Sequence, residues 1–405
     1  MTTQSPATNG SAAPKLFIYP PILANDLASV DLPDDQKKEA LTCAWEYVRC
    51  VIPQYTNVDR YVAFARIVLI GVIAEYRGDM LDLDSEDRYL FGYDLDELFT
   101  VVYGGMGEQA HRDLACEFRT FLLVNAEKSD KDKRAKSELF RRYVNALAVP
   151  PKNAFRLRDC DALVRFTIAA ALACNELEQA YTSFTEDQLQ ILGELGAVMY
   201  DAVAYHKHRA EGEVNSTFAY AEGRLEAFRR YREVLWALDV VWTDSPALRC
   251  VINFMRPFTG PIHMMMHRYR FVEDKLTIGN PENEHVVNEA RKNVKLWHHI
   301  DAPDVKLWDF IDASDTPTPH EQERYQKIMD RSDRLMFPGF AAMLDQGDKE
   351  RCKHCNYRTS YGAQVEGEFG GLRICDNCKG RWRRWIDGFE RRAARAFPEL
   401  QPWLG

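Results

Sequence analysis

From Tyr19 to about Ile300 apolar residues recur at three- and four-residue intervals, the period of helices, with few strand-like alternations. A helix is predicted through Cys43–Val48, capped by Asp34 or Asp35 and stopped before Pro53. Tyr61–Met80 reads as a strongly apolar helix in which Arg66 is the only charge before Glu75. Leu98–Val102 and Ala115–Val124 read as core helices around a Gly-rich turn at Gly104–Gly107. Leu139–Ala148, Ala162–Cys174, Glu186–Tyr205, Arg224–Val240 and Ile262–Val272 continue the series, and Ser129–Lys136, SDKDKRAK, reads as a solvated loop. The sum is an all-α bundle of roughly ten helices. Beyond about Asp301 the Asp/Pro/Ser-rich stretches DAPDV, DASDTPTPHE and DQGD mark joints around short helices. The expected organisation is a disordered leader over 1–17, a helical domain over 18–300, a linker with short helices over 301–349, and a small module with a C-terminal helix over 350–405.

Composition narrows the class. A chain of 405 residues, 46% hydrophobic, can build one large core and a small second unit. No apolar run approaches the roughly 18–20 residues of a membrane span. The N-terminus MTTQSPATNGSAAPK lacks the basic and apolar segments of a signal peptide, so a cytoplasmic location is expected. A net charge of −9 argues against nucleic-acid binding by the whole chain. The segment from Arg351 is the exception, with 11 Lys and Arg against 6 Asp and Glu, which leaves the remainder near −14. The oligomeric state is left open, a homo-oligomer included.

Ten cysteines fall into two groups. Cys43, Cys50, Cys116, Cys160, Cys174 and Cys250 sit singly in apolar helical contexts, as reduced core residues do. Cys352, Cys355, Cys375 and Cys378 instead form C-x2-C-x19-C-x2-C, the spacing of a four-thiolate Zn2+ site. Four thiolates close the coordination shell, so the metal is structural; a disulfide pair or redox thiols are the alternative, and His354 is a competing ligand. The intervening GAQVEGEFGGLRI suits a β-hairpin. Trp382, Arg383, Arg384 and Trp385 follow, either as a nucleic-acid-binding helix or, the favoured reading, as a helix docked on the acidic main domain.

Four stretches concentrate polar chemistry inside the apolar pattern. Tyr200–Tyr220 is expected to run as one helix with a bend or end near Gly212. There Asp201, Tyr205 and His208 share one side, and Lys207, Glu211 and Asn215 an adjoining one. The ordinary meaning is a solvated face with pairs such as Lys207–Glu211. Glu75 and Asp79 lie one turn apart at the end of the apolar helix, or form an acidic helix end with Arg77 as partner. Phe155–Ala170 carries Arg156, Arg158 and Arg165, with Asp159 and Asp161 as their partners or as ligands. Arg268 and Tyr269 follow a Met run that is core filler or pocket lining, Arg268 being otherwise a surface ion pair. No G-x-G-x-x-G, Walker A, G-x-S-x-G or paired E-x-x-H motif is present.

Together these stretches resemble class I terpene synthases, which implies a class I terpenoid-synthase-like helical bundle with a small zinc-ribbon-like C-terminal module. The helix from Tyr200 is similar to the one carrying their second metal motif, N-D-x-x-S-x-x-K-E. Asp201 and Lys207 match, Gly212–Glu213 can serve as its later Gly-acid step, and Tyr200, Ala204 and His208 stand where the three metal ligands would be. More closely, the chain resembles the fungal α-ionylideneethane synthases, sesquiterpene synthases of abscisic acid biosynthesis. The segments that carry this are YPPILANDL, CAWEYVRCVIPQYTN, RYVAFARI, RRYVNALA, RDCDALVRFTIAAALACNELE, YDAVAYHKHRAEGEVNSTFAY, GPIHMMMHRYRFVEDKLTIG and the Cys-rich tail.

The resemblance implies conversion of farnesyl diphosphate to (2Z,4E)-α-ionylideneethane, through neutral farnesene-type polyenes that lose and regain a proton before ring closure. It implies Mg2+ at Glu75, Asp79 and Asp201, one ion rather than three given the missing ligands. Lys207, Arg268, Tyr269, Asn215 and one of Arg156, Arg158 or Arg165 would hold the substrate, as guanidinium forks suit phosphate. His208 or Glu75 would be the proton shuttle, with Lys207 and Tyr205 completing the catalytic set. The rival reading is a zinc-ribbon regulatory or nucleic-acid-binding protein whose helical domain is a degenerate prenyl-binding module.

Overall fold

The computed structural model describes residues 17–81, 89–130, 136–148, 150–205, 208, 213–266, 318–350, 352–355, 369, 372 and 374–404. Lys207, Arg268, Tyr269, residues 1–16 of the leader and most of the expected hairpin lie outside them. Helix α1 spans Asp34–Val51 and α2 Val58–Tyr76. Asp34 and Asp35 stand in the first turn of α1, after Pro33; Asn57 caps α2 by accepting the Arg60 N–H. A two-residue antiparallel hairpin, β1 (Tyr89–Leu90) and β2 (Tyr93–Asp94), precedes α3 (Leu95–Tyr103), whose cap is Asp94.

Helices α4 (Glu108–Ser129), α5 (Glu138–Ala148), α6 (Pro151–Ala162), α7 (Val164–Cys174) and α8 (Glu186–Val203) complete the core, with a Thr185–Gln188 capping box starting α8. Every residue of α7 is buried, and it packs against α2, α3, α8 and α10. Phe166 of α7 is ringed by Phe64, Phe99, Tyr103 and Phe118. Outer helices are α9 (Arg224–Val241), α10 (Pro246–Phe258) and the short α11 (Ile262–Met265). The fold is all-α, the terpenoid-synthase-like class that the sequence predicts.

Two helix boundaries shape the site, the first close to the start that the sequence predicts for Ala162–Cys174. Residues 151–174 make α6 and α7 with Leu163 between them in the left-handed region, φ +53°. Asp159 stabilises the break, its carboxylate accepting the Arg165 N–H at 3.0 Å. The expected single helix over Tyr200–Tyr220 stops at Val203. Asp201 accepts both the backbone N–H and the hydroxyl of Thr217 at 2.7 Å, which folds the chain back on itself.

Residues 319–349 form α12 (Pro319–Met329), α13 (Ser332–Leu335) and α14 (Phe340–Lys349), packed on α4 and α5. Gly347 lies against the Ala146 backbone, where a Cβ would stand 2.3 Å from the Ala146 Cα, and Arg141 donates to Asp348 at 2.6 Å. At the C-terminus α15 (Asp376–Asp387) and α16 (Phe389–Ala396) dock on the main body. Trp382 is buried, stacks on Tyr220 and donates to the Ala148 carbonyl at 3.0 Å. Trp385 and Arg392 both donate to the fully buried Glu194. The aromatic side of α15 is thus spent on docking.

Candidate active site

The end of α2 meets the end of α4 because residue 78 is glycine. A Cβ there would stand 2.3 Å from the Ala126 carbonyl oxygen, while its N–H donates to Ser129 Oγ at 3.0 Å. This approach sets Glu75 of α2 beside Lys128 of α4. Both line a cavity of about 110 Å3 that opens in part to solvent. Its walls are apolar: Val68, Gly71, Val72, Phe118, Phe121, Leu163, Phe258 and Ile262. Its polar groups are Glu75, Lys128, Arg158, Asp161, His208 and Glu213, with Tyr47 and Tyr200.

These polar groups are tied together. Arg158 Nη2 donates to Asp201 Oδ1 at 2.6 Å, and its other terminal nitrogen donates to Asp161 one turn on. Burial opposes the Arg158 charge, but Asp201 and Asp161 hold its pKa well above the usual range. Asn215 donates to Asp161 at 2.5 Å, and His208 Nδ1 lies 3.5 Å from Asp201 Oδ1. Lys128 Nζ lies 3.0 Å from Glu213 and 3.5 Å from Asp161. Burial likewise opposes its charge, and Asp161, Glu213 and Glu75 raise its pKa above the lysine range. A charged cluster of this kind is costly to bury unless its charges are paired.

Of the residues singled out from sequence, Glu75, Arg158, Asp161, Tyr200, His208 and Glu213 line the cavity. Others do not. Asp79 follows the end of α2, half exposed, and accepts from Nε and Nη2 of Arg77, each at 3.1 Å. Asp201 is fully buried behind Arg158, its oxygens committed to Arg158 and Thr217. Tyr205 turns outward, against Phe218, Phe369 and the Arg224 guanidinium. Arg165 pairs with Asp159 at 2.6 Å and Glu186 at 2.9 Å, and with Arg156 lines a broader depression of about 850 Å3. Asn215 braces Asp161 from behind. Lys128 was missed because it borders a charged run that reads as a solvated loop. The signal was its place on one α4 face with Phe118, Phe121 and Asn125, at spacings of three and four.

For Mg2+, the described carboxylates fit one ion at most. Asp79 and Asp201 are engaged elsewhere, and among the described residues no group of three carboxylates or imidazoles is placed to hold a metal. Mg2+ is content with one or two carboxylates plus substrate phosphates, and Glu75 can serve as one. The cysteine quartet fits Zn2+ closely. All four Sγ atoms lie within 4.8 Å of one another, and Cys352 Sγ is 3.8 Å from Cys375 Sγ, the edge of about 3.8 Å expected of a tetrahedron with ~2.3 Å Zn–S bonds. The Cys375 N–H points at Cys355 Sγ at 3.2 Å, and the His354 N–H pulls the Cys352 thiol down to about 7. The imidazole of His354 is not part of this cluster.

Residues 15–399 match the family model described as alpha-ionylideneethane synthase aba3. The chain belongs to that family. It is 51% identical to alpha-ionylideneethane synthase aba3 of Botryotinia fuckeliana (strain B05.10), over 95% of this chain and 84% of that protein. It is 49% identical to alpha-ionylideneethane synthase abl3 of Leptosphaeria maculans, over 95% and 86%. With abl3 of Pyricularia oryzae (strain Y34) the identity is 42%, over 95% and 83%. This is a family of synthases, and so of enzymes.

Proposed function

We propose that the protein is a sesquiterpene synthase converting farnesyl diphosphate to (2Z,4E)-α-ionylideneethane, a precursor of abscisic acid. One observation carries this reading: an apolar, aromatic-walled chamber whose polar groups gather guanidinium, ammonium, imidazole and carboxylate in a member of this family. The apolar walls Val68, Val72, Phe118, Phe121 and Phe258 accept the prenyl chain and keep water from the carbocation. Arg158 and Lys128 offer positive charge where the diphosphate departs, as do Lys207 and Arg268 in the sequence-based reading. Mg2+ held by Glu75 and the diphosphate oxygens would supply further Lewis-acid charge.

After diphosphate loss, removal of a proton gives a neutral polyene, and returning it elsewhere on the chain generates the cation that cyclises. His208 is poised for this transfer, buried at the cavity and within 3.5 Å of the Asp201 carboxylate, which orients the ring. Glu75 is the alternative shuttle. Incubation with farnesyl diphosphate and Mg2+, followed by analysis of the organic extract, is the direct test, with α-ionylideneethane expected. The shuttle assignment fails if His208→Ala and Glu75→Gln both still cyclise the substrate.

A further inference from the structure

The thiolate quartet sits far from the cavity in sequence yet grips one of its walls. The wall is the chain from Ser216 back to Glu213 and on to Glu222, with Tyr205 beside it. Its inner side supplies Glu213 to Lys128, Asn215 to Asp161 and Thr217 to Asp201. Its outer side is held by the C-terminal module. Tyr220 stacks on Trp382 with ring centres 5.2 Å apart, and its hydroxyl donates to the Val214 carbonyl at 2.7 Å. Lys379 donates to Glu222 at 2.8 Å, and Phe369, from between the two Cys pairs, packs edge-on to Tyr205 at 5.5 Å. No regular helix of eight or more residues braces 213–222 from within, so its placement depends on these contacts at both sides.

The quartet joins the two elements that carry those outer contacts. Cys352 and Cys355 follow α14, which is locked to α5 through Gly347 and the Arg141–Asp348 pair. Cys375 and Cys378 open α15, and Trp382 lies one helical turn beyond Cys378 on the same face. One ion held by the four thiolates would therefore tie α15 to the α5–α14 pair, and Trp382 and Lys379 of α15 meet the wall at Tyr220 and Glu222. We infer that the thiolate module is a clasp that positions the 213–222 wall of the cavity, so that turnover depends on the metal although no thiolate touches substrate. This inference rests on the proposed function only for its activity arm.

The test uses the full chain loaded with Zn2+. The metal is released by a thiol-reactive mercurial with a chelator and followed by zinc content, while amide hydrogen exchange is read by peptide. On metal loss, peptides covering 213–222 are expected to exchange at least about ten-fold faster while α7 keeps its protection, and turnover falls with the same zinc dependence. Unchanged exchange at 213–222 would overturn the clasp, and so would simultaneous loss of protection throughout the bundle. A second arm avoids the ligands: the double variant Phe369→Ala, Lys379→Ala should keep full zinc content yet show faster exchange at 213–222 and a lower kcat. Wild-type exchange and kcat in that variant would also sink the inference. If the wild-type enzyme does not turn over farnesyl diphosphate, the proposed function falls while the exchange readout still judges the clasp.

Discussion

Arg156 and Arg158 lie two residues apart on α6, and both are buried and paired with carboxylates, yet they face different worlds. Arg156 makes a two-pronged contact with Glu117 at 2.8 and 2.6 Å and lies 3.6 Å over the Phe337 ring. Arg158 is held as firmly by Asp161 and Asp201. Pairing alone therefore does not mark a functional arginine. What separates them is company: Arg158 looks into an apolar chamber beside Lys128, Glu75 and His208, whereas Arg156 and Arg165 border a wider depression rimmed by Glu108, Asp113, Glu117 and Glu186. A buried pair needs an adjacent site for a ligand before its charge can do chemistry.

The sharpest way to break this contrast is to vary each arginine without leaving a bare charge. Arg158→Lys keeps the positive charge but loses the fork, and should lower kcat by about 100-fold or more. Arg156→Met should destabilise by ~3–5 kcal/mol because Glu117 is left buried and unpaired. Adding Glu117→Leu should restore the melting temperature with kcat kept. Steady-state kinetics beside thermal melts read both, and equal kinetic losses on the two sides would erase the distinction.

Next in size is Lys128→Met, expected to cut turnover by about ten- to 100-fold, with partial recovery in Lys128→Arg, by product quantification. Gly71→Val probes the chamber itself. A Cβ at Gly71 already stands 3.2 Å from the Phe121 ring, so the larger side chain fills space meant for substrate. The expected outcome is a higher KM for the fifteen-carbon substrate, with a smaller penalty for a ten-carbon diphosphate. The smallest effect is on the other side of α6. Burial raises the Glu186 pKa, but the Arg165 hydrogen bond and charge outweigh it and hold it below its ordinary 4.5. That stabilisation is complete above about pH 4.5 and is lost as pH falls through the lower folded value. The melting temperature should decline on acidification there, less steeply in Glu186→Gln.

Three site assignments share one physical reason for where they ended up. Arg158 and Arg165 are seven residues apart and would share a face of an unbroken helix; the left-handed Leu163 turns them to different sides. Glu75 and Asp79 would stack one turn apart, but α2 ends at Tyr76 and Asp79 swings to Arg77. Tyr205 would align with Asp201 and His208 on a continuous helix, but α8 ends at Val203 and Tyr205 meets Phe369 instead. Helical spacing is legible only while the helix lasts. The breaks themselves are set by distant groups, such as the Thr217 hydroxyl reaching Asp201.

By itself the sequence determined the all-α class, because its apolar period is local, and the thiolate quartet, because two short knuckles of fixed spacing bring their own geometry. It also pointed to Glu75, His208 and Arg158 among the groups at the chamber. Only the tertiary structure decided that Lys128 joins them, that Asp79, Asp201, Tyr205 and Arg165 do not, and that α15 packs Trp382 against Tyr220. Those outcomes depend on where helices stop and which faces then meet, and that is settled by packing between segments far apart along the chain.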